Sequence, residues 1–265
     1  MVELAARTTE VLGCTGAPEM AGCLRAATAD ELLEVPGANL TTITNGRADF
    51  YTNVDGYVLT ENPLQAFRAG RVNPVSVIGG TTRDENLATV QFFYESPPTN
   101  DTEYRAAISR LFGPEEEDTL VGMYPPSSYG SHVGALAALL SDLTMHCPLR
   151  RVLRGLSEVG APSVRRYLYS PRTGAAAHSA DAALPLGIAS TPVEAAISQN
   201  IMDYWVSFAA SGDPNDGARF DWPAYDPATD NYLVLAEDLE VASGFRSLQC
   251  DFWDTDPLGI DPLGD

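Results

Sequence analysis

The chain has 265 residues, 45% of them hydrophobic, enough for one large domain or two small ones. Its 36 acidic residues against 16 basic ones, every one an arginine, give a formal charge of −20. That balance argues against a nucleic-acid partner, whose phosphates need a basic face, and fits an acidic solvated surface or the steering of cationic ligands. No run approaches the ~18 apolar residues of a membrane span.

The opening segment, MVELAARTTEVLGC, lacks the basic start, long apolar middle and cleavage site of a signal peptide. It reads instead as the middle of an amphipathic helix, weakly helical over residues 2–13. Cys14 and Cys23 flank the turn Thr15-Gly16-Ala17-Pro18, which favours a local bridge. With Cys147 and Cys250 the chain has four cysteines, which allow three pairings, and four buried free thiols are the alternative. A Cys147–Cys250 bridge would close a long loop, worth about 4.7 kcal/mol in the chain-entropy model for ~100 residues. Bridges of this kind imply an oxidising compartment. The cysteines have no metal-type spacing, so no metal is expected; no cofactor is expected either.

Thr28-Ala29-Asp30-Glu31 has the form of a capping box and opens a short helix that Pro36-Gly37 closes. Residues 38–60 alternate turns with short extended pieces, among them 53–59. Asn62-Pro63 starts a helical turn through Phe67 that Gly70 ends. The run Pro74–Gly79 is short, apolar and punctuated by glycine, the pattern of a buried parallel strand. Asp84 and Glu85 follow its C-terminal end, although an Asp-Glu pair in a loop is ordinarily solvated charge.

Residues 95–130 read as polar and turn-rich, with Glu115–Asp118 a helix start or an exposed loop. Gly134–Gly155 is helical in pattern, and Pro148 should kink it or restart it at a first-turn position. Val164–Tyr169 reads as a strand closed by Ser170-Pro171. The small, flexible run Thr173–Ala177 then delivers His178, with Asp181 three residues on. A histidine just past a strand's C-terminal end stands where α/β sheets keep their chemistry. Thr191-Pro192-Val193-Glu194 opens the clearest helix, with an apolar stripe of Val193, Ile197, Ile201, Tyr204, Trp205 and Phe208. Gly212 and Pro214 stop it. Residues 231–236 and 239–242 read as short extended pieces, followed by a frayed acidic tail from about residue 254.

Strand, acid, helices, strand, histidine and long helix follow one another. In α/β-hydrolases a catalytic triad runs nucleophile, acid, histidine in chain order, each on a loop at a strand's C-terminal end. Glu85 and His178 fit the second and third places. The residues themselves resemble the type-B carboxylesterase and cholinesterase family. Val54-Asp55-Gly56 and Pro74 through Asp84-Glu85 resemble its acid-loop region. So do Ser141-Asp142 before Cys147-Pro148, His178-x-x-Asp181 before Leu186-Gly187, and IMDYWVSFAASGDPN at 201–215. Trp222-Pro223 and Cys250-Asp251-Phe252-Trp253 complete a set that runs in order over nearly the whole chain.

The resemblance implies an α/β fold: the C-terminal portion of an α/β-hydrolase, with an incomplete, mostly parallel central sheet flanked by helices. Residues 1–265 would form part of one such domain. It also implies that Glu85 is the triad acid and His178 the general base. Asp181 takes the place of a family carboxylate near the triad, and Asp142 with Ser141 that of its polar supporting cluster. Cys14–Cys23 and Cys147–Cys250 match the family's usual bridges, and a secreted or extracytoplasmic parent is expected from them.

One departure carries consequences: the 265 residues contain no Gly-x-Ser-x-Gly. The sequence therefore reads as the C-terminal half of a serine carboxylic-ester hydrolase, inactive by itself, whose nucleophile and oxyanion loop lie in an N-terminal half. That half is the expected partner, and a carboxylic ester the expected substrate of the whole. A non-catalytic, cholinesterase-like interaction domain is the alternative, as is a half-enzyme that pairs with a separately made N-terminal half.

Overall fold

The computed structural model describes residues 2–35, 54–92, 94, 96–215, 217 and 219–255. Helices α1 (Val2–Val11), α2 (Met20–Ala26) and α3 (Ala29–Leu33) come first, and the Thr28 capping box is formed at α3. Cys14 and Cys23 are bridged between α1 and α2. The extended piece expected over 53–59 is not a strand in its described part. Asp55 Oδ1 collects the amides of Tyr57, Val58 and Leu59 there, which curls the chain into a loop. The rest of 36–53 and the tail after Thr255 lie outside the described residues. Helix α4 (Pro63–Arg68) follows as expected, ended near Gly70 at φ 68°.

Four strands form one sheet in the order β1 (Val77–Thr82), β2 (Val164–Tyr169), β3 (Asn231–Leu235), β4 (Glu240–Ser243). The first three are parallel and the last is antiparallel, so the sheet is mixed but mostly parallel. The first strand starts three residues later than expected. Pro74 has no amide to donate, the Val75 amide turns back to Asn73 O, and the ladder begins where the Val77 amide donates to Ser163 O at 2.7 Å. On its far side β1 pairs with no strand among the described residues.

Between β1 and β2 lie α5 (Leu87–Phe92), α6 (Asp101–Phe112), α7 (Glu117–Met123), α8 (His132–Ser141) and α9 (Cys147–Glu158). Two of these correct the turn-rich reading of 95–130. Asn100 accepts from the Glu103 amide as N-cap of α6, while Tyr104, Ala107, Ile108 and Leu111 form its buried face. The segment's polar residues lie on the outside of helices. Pro148 does restart the helix: one wide turn, Asp142–His146, separates α8 from α9, and Pro148 sits in α9's first turn. The second bridge ties Cys147 at the start of α9 to Cys250 in α11 (Ser247–Asp254).

Strand alternation assigns the two faces of the sheet. Val164 packs with Leu153 and Leu156 of α9. Tyr169 packs with Ile197, Ile201 and Tyr204 of α10 (Pro192–Ser211), together with Trp222, Leu233 and Leu235. Helix α10 carries its expected capping box at Thr191 and ends at Gly212 in the left-handed region. Its apolar stripe is narrower than expected, because Val193 is 43% exposed. A third cluster gathers α5 to α8 against α11 through Val90, Ile108, Leu136, Leu139 and Trp253. Helices thus flank the sheet, the α/β architecture read from the sequence.

Candidate active site

The loop after β1 and the loop after β2 leave the sheet at the same end because the strands are parallel and in register, Thr82 opposite Tyr169. Glu85 stands on the first loop and His178 on the second. The Thr82 amide donates to Glu85 Oε1 at 2.7 Å, and Glu85 Oε2 lies 2.6 Å from His178 Nδ1, across 93 positions of sequence. A carboxylate only accepts, so the ring proton of this contact sits on Nδ1. The Glu85 side chain is 6% exposed and that of His178 56%, so the acid is sealed in and the ring reaches out. Nε2 of His178 makes no hydrogen bond to a described residue. An imidazole held this way can take a proton from a group that docks against Nε2 and return it later.

The backbone supports this arrangement locally. Ser179, directly after His178, has φ 65°, a left-handed conformation that costs energy outside glycine and turns the chain sharply at the histidine. Asp181 is not hydrogen-bonded to Glu85 or to the His178 ring; its Oδ2 accepts from the Tyr167 hydroxyl at 2.8 Å. Tyr167 is half-buried among aromatic neighbours, Trp205 at 5.5 Å and Trp222 at 6.4 Å between ring centroids. Burial, and then the Asp181 charge, push its phenol well above the usual range.

Ser141 stands one step behind the acid. Its Oγ accepts from the Asn86 amide at 2.9 Å and donates to Ala137 O at 2.7 Å, which ties the acid loop to α8. Asp142 is separate from the pair. It is fully buried, accepts from the Tyr124 hydroxyl at 3.0 Å and faces Arg246 Nε at 3.3 Å. Burial raises its carboxyl to about 7, with Arg246 and Tyr124 pulling the other way. The Trp253 indole donates to the same Tyr124 hydroxyl, so this cluster fastens α11.

Other participants escaped the sequence reading. His146 lies 2.8 Å from Thr81 Oγ1, and burial, with Arg246 and Arg166 nearby, lowers it to about 3. Asp230 accepts from Arg166 and Tyr225 and pairs with Arg150. Burial alone would raise it, but these partners outweigh burial and lower it. Asp84, half of an Asp-Glu pair that reads as ordinarily solvated charge, is engaged with the loop that carries His178, and so is Arg83, on which the sequence offers no reading. All four cysteines are bridged, so no thiol is free to act as a nucleophile. Among the described residues no group of three or more His, Cys, Asp or Glu side chains could hold a metal ion, and no helix is long and apolar enough to cross a membrane.

A mostly parallel sheet with helices on its faces makes this an α/β protein, with a carboxylate–histidine contact at the C-terminal end of its parallel strands. The model of the carboxylesterase family matches residues 1–253, and the chain belongs to that family. It is 24% identical over 280 residues to carboxylesterase 1C of Rattus norvegicus, covering 94% of this chain and 49% of that protein. It is 25% identical over 267 residues to carboxylesterase 1F of Mus musculus, covering 87% and 47%. With liver carboxylesterase 1 of Oryctolagus cuniculus it shares 24% identity over 283 residues, covering 91% and 49%. The chain spans about half the length of these curated relatives.

Proposed function

We propose that this chain supplies the acid and the base of a serine carboxylic-ester hydrolase, with Glu85 as acid and His178 as base, and that the attacking serine and oxyanion donors come from sequence outside the 265 residues. The observation that carries the reading is the 2.6 Å contact of His178 Nδ1 with Glu85 Oε2, on a ring whose side chain is 56% exposed and whose Nε2 makes no hydrogen bond to a described residue. In such a site the carboxylate fixes the tautomer and stabilises the imidazolium, while Nε2 takes the serine proton and delivers it to the leaving alcohol. Tyr167–Asp181 and Ser141–Asn86 brace the two loops from behind.

Residues 1–265 are read as the C-terminal part of one α/β-hydrolase domain. Among the described residues β1 pairs with no strand on its far side, which supports this, since a parallel strand is ordinarily buried on both flanks and an unpaired edge invites another strand. The N-terminal half is the proposed partner, in cis or in trans, and a carboxylic ester the proposed substrate. Two disulfides support a secreted or extracytoplasmic setting for the whole. The outward-facing, carboxylate-oriented histidine favours this reading over a purely non-catalytic interaction domain, which has no use for it.

The test is substitution in protein that contains both halves. Glu85→Gln should lower kcat for a simple aryl ester by about 10⁴-fold and His178→Ala by about 10⁶-fold, while Asp181→Asn should retain most of it. Full turnover with His178→Ala would refute the assignment.

A further inference from the structure

We infer that Arg83 and Asp84 form a clamp that sets the position of His178, an inference that rests on the Glu85–His178 reading above. The loop after β2, Ser170-Pro171-Arg172-Thr173-Gly174-Ala175-Ala176-Ala177, consists largely of small residues with little side chain to hold it in place. Such a segment stays put only if something else satisfies its backbone. Arg83 does much of this. Its Nη1 donates to Pro171 O at 3.1 Å and to Ser170 Oγ at 3.3 Å, and its Nη2 donates to Gly174 O at 2.8 Å.

Asp84 completes the arrangement from both directions. Its Oδ2 accepts from Arg83 Nε at 3.0 Å and Nη2 at 2.8 Å, and also from the Ala176 amide at 2.9 Å. Its own amide donates back to Ala176 O at 2.9 Å, and Asp84 and Ala177 form an isolated parallel bridge. The loop is thereby stitched to the end of β1 at Ser170, Pro171, Gly174, Ala176 and Ala177, the last of them adjacent to His178. Ala176 is fully buried in the result. A planar guanidinium with five N–H donors can serve three acceptors of one loop and a carboxylate together, which an ammonium cannot. The acid, Glu85, follows Asp84 directly, so one short segment both supplies the acid and holds the base opposite it. Arg83 and Asp84 are positioning residues: neither bonds to the His178 ring.

The test uses the 265-residue chain and the proton shared between His178 Nδ1 and Glu85, read by proton NMR at low field. In the wild type this signal is expected and should vanish in Glu85→Gln. Its absence from the wild type would overturn the Glu85–His178 pairing itself. With the signal present, Arg83→Met should abolish it and speed amide exchange over residues 173–180 roughly tenfold or more, while global unfolding still follows one cooperative transition. Arg172→Ala, which breaks an exposed ion pair with Asp238 on the same loop, should leave the signal in place. If Arg83→Met fails to fold, Arg83→Gln, which keeps most of the stem, is read in the same way. A low-field signal unchanged in the folded Arg83 variant would overturn the clamp and leave the pairing intact.

Discussion

The ring of Tyr167 lies flat against Gly80 across the β1–β2 register, so close that a methyl group on Gly80 would stand inside the ring. This contact places the Tyr167 hydroxyl where it holds Asp181, three residues past His178. A glycine in a strand costs entropy, and here it makes room for an aromatic brace.

Gly80→Ala should therefore act at a distance. Displacing the Tyr167 ring from a packed site should cost about 1–3 kcal/mol. It should also loosen the 178–184 segment through loss of the Asp181 contact. Denaturant titration and site-resolved hydrogen exchange check this; unchanged stability would show that the ring moves aside freely.

Two buried groups push the stability in opposite directions with pH. The unfolded chain protonates His146 below its ordinary 6.5, whereas the folded chain holds it neutral down to about 3. It therefore takes stability away as pH falls through that interval. Asp142 does the reverse: unfolded, it ionises above 3.8, but folded it keeps its proton up to about 7, so it takes stability away as pH rises between the two. Relative to wild type, Asp142→Asn should gain up to ~1.4 kcal/mol of stability per pH unit as pH rises across this window. His146→Gln should gain as pH falls from 6.5. Urea titrations over the range measure both differences, and pH-independent offsets for both would contradict the assignment.

Much of the fold is legible in the sequence because its signals are local. The capping boxes at Thr28 and Thr191 and the restart at Pro148 each depend on a few adjacent residues. Helix α6 was missed because its polar face dominates the composition, although Asn100 as cap and the spacing of Tyr104, Ala107, Ile108 and Leu111 were there to read. Glu85 and His178 stood out through their order and placement after strands. The clamp of Arg83 and Asp84, by contrast, depends on which backbone atoms a loop 90 residues away presents, and Tyr167–Asp181 on strand register. No spacing rule encodes either.

The two bridges should contribute unequally. Cys147–Cys250 spans 103 positions and Cys14–Cys23 only 9, so the chain-entropy model makes the longer loop worth about 2 kcal/mol more. The longer bridge also joins α9 to α11 beside the ion pairs of Arg150 with Asp251 and Asp254. Replacing each pair by serine and comparing unfolding midpoints tests the ranking. Equal losses, or a larger loss at Cys14–Cys23, would contradict it.

In the proposed function Glu85 and His178 serve a serine from outside these residues. An aryl-ester assay on the purified, monomeric 265-residue chain, alone and combined with a carboxylesterase N-terminal half supplied in trans, decides this. The chain alone should give no turnover, the combination should turn over the ester, and replacing His178 by alanine should abolish that turnover. Robust hydrolysis by the chain alone, titrated by an organophosphate to one of its own serines, would contradict the proposed function.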